Sequence, residues 1–92
     1  MFILVPVLTT SSFLYHISLG DNYISDLSPL AGLTNLQKLD LMFNSISDIS
    51  PLVENSGLSE GDTVDLGDNP LSATSINVYI PQLEERGVDV RY

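Results

Sequence analysis

The feature that most constrains this chain is an internal repeat. Moved by 22 residues toward the N-terminus, the segment 36–52 places seven positions on residues of the same character. Leu36, Leu39, Leu41, Asn44, Ile46, Ile49 and Leu52 fall on Leu14, Ile17, Leu19, Asn22, Ile24, Leu27 and Leu30. Moved by 25 residues toward the C-terminus, Leu39, Leu41, Asn44 and Ile46 fall on Val64, Leu66, Asn69 and Leu71. A period of this length predicts stacked structural units that each contact their neighbours.

Each unit combines a strand with an inward turn. Two apolar residues two positions apart have the spacing of a short strand with one buried face. This spacing predicts strands at His16–Gly20, Lys38–Met42 and Thr63–Gly67. An asparagine follows each strand, and its amide can bond to backbone groups that a bend leaves unpaired. We therefore expect Asn22, Asn44 and Asn69 to form a buried ladder.

The ladder makes a contrast between two asparagines. Asn44→Ala should be destabilising, because it leaves buried backbone groups unpaired. Asn55 lies outside the repeat, in the irregular segment 53–62. We expect that segment to be a convex loop anchored by Leu58, in which a change at Asn55 is nearly silent.

The rest of each unit has an apolar residue at every third position, which suits 3₁₀ turns because side chains at i and i+3 eclipse. The series is Ile24, Leu27, Leu30, Leu33 and Leu36. Ser28-Pro29 and Ser50-Pro51 recur at equivalent places, where serine can cap a short turn and proline can occupy its first position. These features predict the convex side of the coil.

The C-terminal segment changes to helical spacing. Ile76, Tyr79, Ile80 and Leu83 fit one helix face, Ser72 or Ser75 can cap its start, and Gly87 is placed to end it. Pro81 implies either a kink or a start near Tyr79, because a proline inside a helix removes a hydrogen bond. Tyr79 is expected to pack in the core of this cap. Val88-Asp89-Val90 predicts a final strand.

The unit L-x-x-L-x-L-x-x-N-x-I resembles the leucine-rich repeat family, in the 22-residue class of internalin-like bacterial surface proteins. The ending N-P-L-S…I-P-x-L…R-G-V-x-V resembles the C-terminal closing units of that class. The resemblance implies an α/β fold: a short solenoid, a right-handed β/3₁₀ coil with a parallel concave sheet and a C-terminal capping helix. It also suggests a secreted or cell-surface location, and that suggestion rests on the resemblance alone.

We expect residues 1–92 to form a single domain. It divides into a degenerate partial repeat at 1–13, repeats at 14–35 and 36–60, and a last strand turn plus cap at 61–92. The apolar run at the start lacks the flanks of a secretory signal and is shorter than the ~20 residues that span a bilayer, so no membrane insertion is expected. A coil that starts without a polar cap predicts continuation into a longer protein, or self-association through that edge.

Charge and composition narrow the partner. The net charge is −9, with 12 acidic residues against Lys38, Arg86 and Arg91. Such a balance argues against nucleic acid and anionic membranes and favours a protein partner with a basic surface. The absence of cysteine excludes disulfides and thiolate metal sites. We expect no cofactor.

The resemblance implies that the concave sheet face binds a protein. If Asp40, Asp65 and Asp89 stack in register, they form a column with neighbours about 4.8 Å apart, which favours a basic partner residue. Met42, Phe43 and Tyr92 would add apolar contacts beside it. The predicted partner-binding residues are Lys38, Asp40, Met42, Phe43, Asp65, Asp68, Asp89 and Arg91.

Two other interpretations of these aspartates remain open. Calcium takes about 6–8 oxygen ligands, which is more than three carboxylates on a flat sheet supply without loop carbonyls. The aspartates could also be merely solvated, in a purely structural repeat segment of a larger surface protein. A metal site is therefore not predicted.

Catalysis is not expected. His16 is the only histidine, and Ser18 is two residues along the same strand, about 6.6 Å away by strand rise. A base must lie within about 2.6–3.2 Å of a nucleophile to activate it. The chain also lacks the common nucleophile, phosphate-binding and zinc motifs. We predict a non-enzymatic interaction module.

Overall fold

The computed structural model describes residues 16–92, which form a coil with one parallel sheet. The strands are β1 (His16–Ser18), β2 (Lys38–Asp40), β3 (Thr63–Asp65) and β4 (Asp89–Arg91), in that spatial order. Each connection returns over the opposite, convex side, so successive strands are neighbours. The predicted solenoid is confirmed. The partial repeat predicted at 1–13 lies outside the described residues.

The strands are shorter than the five residues predicted, but their pairing continues beyond them. The Leu19 and Leu41 amides donate to the carbonyls of Asp40 and Asp65 at 2.8 and 2.9 Å. The Asp21 and Phe43 amides donate to the carbonyls of Met42 and Gly67 at 3.0 Å. The first three units therefore stay in register up to the asparagine turn.

One apolar core fills the coil between the sheet and the convex side. The middle residue of each strand points into it, and so do the residues of the convex series. Burying one such leucine or isoleucine contributes about 1.5–3 kcal/mol. The buried set includes Ile17, Leu39, Val64 and Val90 from the strands, and Ile24, Leu27, Leu30, Leu33 and Leu36 from the convex series.

The asparagine ladder is present and bonds each unit to the one before it. Asn44 is buried; its Oδ1 accepts from the Ile24 amide at 3.0 Å and its Nδ2 donates to the Leu19 and Leu41 carbonyls. Asn69 repeats the pattern one unit later, accepting from the Ile46 amide at 3.1 Å. Asn22 and Asn69 are half-buried rather than buried, because they lie nearer the ends of the described coil.

The expectation for Asn55 was wrong. Its side chain is fully buried, and its Nδ2 donates to the carbonyls of Leu30 and Leu33 at 2.9 and 3.0 Å. Its Oδ1 accepts from the Gly57 amide, which fixes the loop to the preceding unit. Leu58 is buried as predicted. The insertion thus carries a second asparagine bridge on the convex side.

The two Ser-Pro segments form single helical turns, but of different kinds. Ser28–Leu30 is a 3₁₀ turn, whereas Ser50–Glu54 is a short α-helix, α1. The predicted serine caps are absent from both turns. Instead, Asp26 and Asp48 accept hydrogen bonds from the Ser28 and Ser50 amides at 2.9 Å.

The Asp26 cap has a pH dependence of known sign. The hydrogen bond from the Ser28 amide, and secondarily one from the Ser28 hydroxyl, hold the pKa of Asp26 below its usual value. A lowered folded-state pKa stabilises the fold above the ordinary aspartate pKa, and this contribution is lost as the pH falls through the lowered value. The capping contact therefore persists at neutral pH.

The C-terminal cap resolves the difficulty at Pro81 with an irregular turn. A π-helical stretch, Ser75–Tyr79, precedes the helix α2 (Ile80–Glu85), in which Pro81 lies in the first turn. That position needs no amide donor from proline. The Ser72 hydroxyl accepts from the Ser75 amide, as a cap should. Gly87 has a φ of 92°, which a glycine adopts without strain after the helix ends.

We predict that both asparagine bridges are stabilising. Asn44→Ala and Asn55→Ala should each lower the free energy of unfolding by about 2–4 kcal/mol, because each leaves several buried backbone groups unpaired at about 1–3 kcal/mol apiece. Asn77, which is exposed on the C-terminal helical segment, provides the matched control, with a change within about 0.5 kcal/mol. Urea denaturation measures all three. An Asn55→Ala protein as stable as wild type would restore the sequence-based expectation.

Candidate binding face on the concave sheet

The concave face presents three rows of side chains that run across the strands. The first row is His16, Lys38, Thr63 and Asp89, and the second row is Ser18, Asp40, Asp65 and Arg91. Two residues further along, the continued pairing aligns Gly20, Met42 and Gly67 as a third row. Parallel strands in register give this arrangement because every second side chain points to the same face. The face thus has two charged rows and one largely bare row.

The predicted column of three aspartates was wrong. Asp40 and Asp65 are in register, but Asp89 pairs with Thr63, and Arg91 takes the place beside Asp65. The sequence alignment had used Val88 as the first apolar residue of the last strand. In the structure, the Val88 amide donates to the Leu83 carbonyl and so belongs to the end of helix α2. The strand therefore begins one residue later than predicted, and Val90 is its inward residue.

The face has mixed charge, although the chain as a whole is strongly acidic. Lys38, Arg91 and the single histidine lie on it. The remaining cation, Arg86, donates to the carbonyls of Asn55 and Val53 and is committed to the fold. The concave face therefore carries the two other Lys or Arg residues of the chain as well as a pair of aligned aspartates.

The aligned aspartates are held in place by the backbone. The Oδ1 atoms of Asp40 and Asp65 each accept the amide two residues ahead, at Met42 and Gly67, over 3.1 Å. Adjacent strands place the two carboxylates about 4.8 Å apart, where like charges repel by about 1 kcal/mol in water. Both residues are half-buried. The pair is a fixed negative feature that attracts a cation.

The cations on the face do not neutralise this pair. Among residues 16–92 the one ion pair joins Arg91 Nη2 to Asp89 Oδ2 at 3.6 Å. Both side chains are mostly exposed, and such pairs contribute about 0–1 kcal/mol. Asp40 and Asp65 consequently remain available to a ligand.

A shallow groove of about 440 Å³ follows the first two rows. It brings together four of the predicted binding residues, Lys38, Asp40, Asp65 and Arg91. His16 and Thr63 also line it and were missing from the predicted set, although the strand alternation already placed them on this face. Asp89, Met42, Phe43 and Asp68 lie outside the groove lining.

Phe43 stands at the end of the second unit in an unusual backbone conformation. Its φ is 56°, and the equivalent residues Asp21 and Asp68 have φ values of 61° and 60°. Aspartate tolerates this left-handed region, whereas a bulky aromatic residue is strained there. The Phe43 side chain is 50% exposed, so core packing does not account for a phenylalanine at this position.

Tyr92 does not lie beside Phe43 as expected. The β3–β4 register aligns Tyr92 with Leu66, two residues before the position equivalent to Phe43. Tyr79, in contrast, packs against the core of the cap as predicted.

The described residues also bear on the metal and membrane predictions. Across residues 16–92, no three or more His, Asp and Glu side chains are grouped so that they could hold a metal ion. In the same part of the chain, no helix has the length and apolar character needed to cross a membrane.

Comparison with known proteins gives two similarities. A family model described as leucine-rich repeats (2 copies) matches residues 14–54. The crystal structure of an internalin C2 from Listeria monocytogenes is similar to the chain, with 36% sequence identity and a TM-score of 0.69. That match covers 90% of this chain and 34% of the internalin, so the chain spans about a third of its length. No curated protein matches the chain.

We predict that Phe43→Asn stabilises the fold. Asparagine tolerates the left-handed conformation, so relief of strain should raise the free energy of unfolding by about 0.5–1 kcal/mol. Tyr23→Asn is the matched control, because Tyr23 is 71% exposed and has no positive φ. Thermal and urea unfolding measure both. A loss of stability in Phe43→Asn would mean that the ring packs usefully in the free protein.

Proposed function

Since the chain is a leucine-rich repeat protein of the internalin-like type, we propose that it binds a partner protein across its concave sheet and carries out no chemistry of its own. Repeat domains of this kind are typically protein-interaction modules. The observation that carries the proposal is the groove over the first two rows. It lies on a regular, exposed sheet face and is lined by opposite charges held at fixed spacings.

The charges of the groove define the partner more closely than the net charge does. The aligned pair Asp40 and Asp65 favours a lysine or arginine of the partner, in accord with the basic surface expected from the sequence. Lys38 and Arg91 lie next to this pair and favour an acidic group. Complementary charges of both signs fix the orientation of a bound partner and exclude wrong partners. The partner surface is therefore basic at its centre with acidic groups beside it.

Met42 and Phe43 supply the apolar part of the interface. Met42 is half-buried on the concave face, and Phe43 is exposed at its border. A strained residue that the fold does not need supports a functional role, since strain persists where function requires it. Exposed aromatic residues are also enriched among the residues that dominate binding energy. We assign Phe43 and Met42 to partner contact.

The other predicted roles keep a lower place. A calcium site would need further oxygen ligands, and the register removes Asp89 from the column that suggested one. Asp68 and Asp89 remain predicted contacts outside the groove. Self-association or continuation through the first edge, and a secreted or surface location, stay predictions from the sequence and its resemblance.

The proposal predicts that partner capture depends on the aligned aspartates. The double variant Asp40→Asn/Asp65→Asn removes both charges, while the amide oxygens can still accept the Met42 and Gly67 amides. Immobilised protein is incubated with an extract of its source cells and their surroundings, and bound proteins are quantified by mass spectrometry. Proteins enriched by wild type should fall at least 10-fold with the variant.

The matched control is Glu84→Gln/Glu85→Gln, which removes the same charge from the exposed surface of helix α2. It should retain capture. If the control loses the same proteins, capture reflects net charge alone. If the concave variant captures as well as wild type, the binding site is not on this face.

A further inference from the structure

We propose that the concave face contains a subsite for one cationic side chain of the partner, formed by Gly20, Asp40 and Met42. We call it the Gly20 notch. It rests on the proposed function, because it specifies where a lysine or arginine of the partner would bind. The notch adds Gly20, which no sequence pattern had marked as a binding residue.

The third row supplies the space for this side chain. Met42 stands between two glycines, and its own side chain leans to one side. A Cβ atom at Gly67 would lie 3.5 Å from Met42 Cε and 3.7 Å from Met42 Cγ. A Cβ atom at Gly20 would meet no side-chain carbon within that range; its three nearest atoms are the Met42 carbonyl oxygen at 3.4 Å and the Asp40 carboxylate oxygens at 3.7 and 3.8 Å. The Gly67 side is filled, and the Gly20 side is open.

The floor and wall of the notch favour a cation. Both carboxylate oxygens of Asp40 lie within 4 Å of the place where a side chain on Gly20 would begin. Asp40 Oδ1 already accepts the Met42 amide, and among the described residues Asp40 Oδ2 has no hydrogen bond. Asp65, the next residue of the second row, adds a second negative charge beside it. An anion would be repelled, and a neutral apolar group would desolvate the carboxylate without pairing it.

The shape suits a long side chain with a charged end. The methylenes of lysine or arginine can lie along the bare Gly20 backbone, while the head group reaches Asp40. A hydrogen bond between a cation and a carboxylate is about twice as strong as a neutral one. Lys38 and Arg91 do not fill this role, since the one ion pair in residues 16–92 is between Arg91 and Asp89. A side chain from outside the described fold is the occupant that completes the notch.

The test uses arginine as a probe, so it does not require the partner. N-acetyl-arginine methylamide is titrated into isotopically labelled protein at millimolar concentrations, and the Gly20 amide and Met42 methyl signals are followed by NMR. N-acetyl-citrulline methylamide has nearly the same shape without the charge. We expect saturable shifts at both signals with the arginine probe and at least 5-fold weaker binding of the citrulline probe. Equal binding of the two probes would overturn the notch.

A substitution at Gly20 provides the second arm. Gly20→Leu should weaken arginine binding at least 5-fold, because the new side chain fills the notch. The fold should tolerate it, since the distances to a Cβ atom are ordinary contacts and no positive φ is involved. Gly32→Leu is the matched control, because a Cβ atom at Gly32 has no neighbour within 4 Å. Unchanged arginine binding in a folded Gly20→Leu protein contradicts the proposal.

The two proposals fail in different ways. If Gly20→Leu captures partner proteins as well as wild type while Asp40→Asn/Asp65→Asn does not, the face binds a protein but the notch is wrong. If the arginine probe binds at Gly20 as expected and the aspartate variant still captures the partner, the notch is supported and the proposed function is wrong.

Discussion

The hydrogen bonds of the asparagine side chains are the constraint on which this structure depends. A chain that turns inward after every short strand leaves backbone amides and carbonyls without partners, and burying them unpaired costs free energy. Asn44 and Asn69 each satisfy groups of their own unit and of the unit before. The same side chain therefore closes one turn of the coil and attaches it to the next. Asn55 does the same work on the convex side.

The register that these bonds impose determines the binding face. Three-residue strands contribute little alone, but equal unit lengths bring equivalent residues side by side. Asp40 and Asp65, 25 residues apart in sequence, become neighbours in this way. The asparagine turn also places the preceding residue in the left-handed conformation, which exposes Phe43 at the border of the face. Stability and the display of the binding residues have the same origin.

The errors of sequence interpretation all occur where the repeat changes. The three-residue insertion looked like an irregular loop, yet Asn55 within it bonds to the preceding unit. The last strand starts one residue later than its apolar pattern suggested, because Val88 completes the helix end, and the charge beside Asp65 is consequently positive. The turns are capped by Asp26 and Asp48 rather than by the serines that follow. In each case a local pattern permitted two arrangements, and packing against a neighbouring unit selected one.

The sequence by itself determined the coil, its strands, the asparagine ladder and the residues that face the core, because periodic apolar spacing and a buried amide leave few other ways to satisfy the backbone. It also placed Lys38, Asp40 and Asp65 on one face through strand alternation. Only the tertiary structure decided that Arg91 stands beside Asp65 and that Met42 covers Gly67 while leaving Gly20 open. These features depend on the register between units and on the direction of a side chain, and neither is encoded within any single repeat.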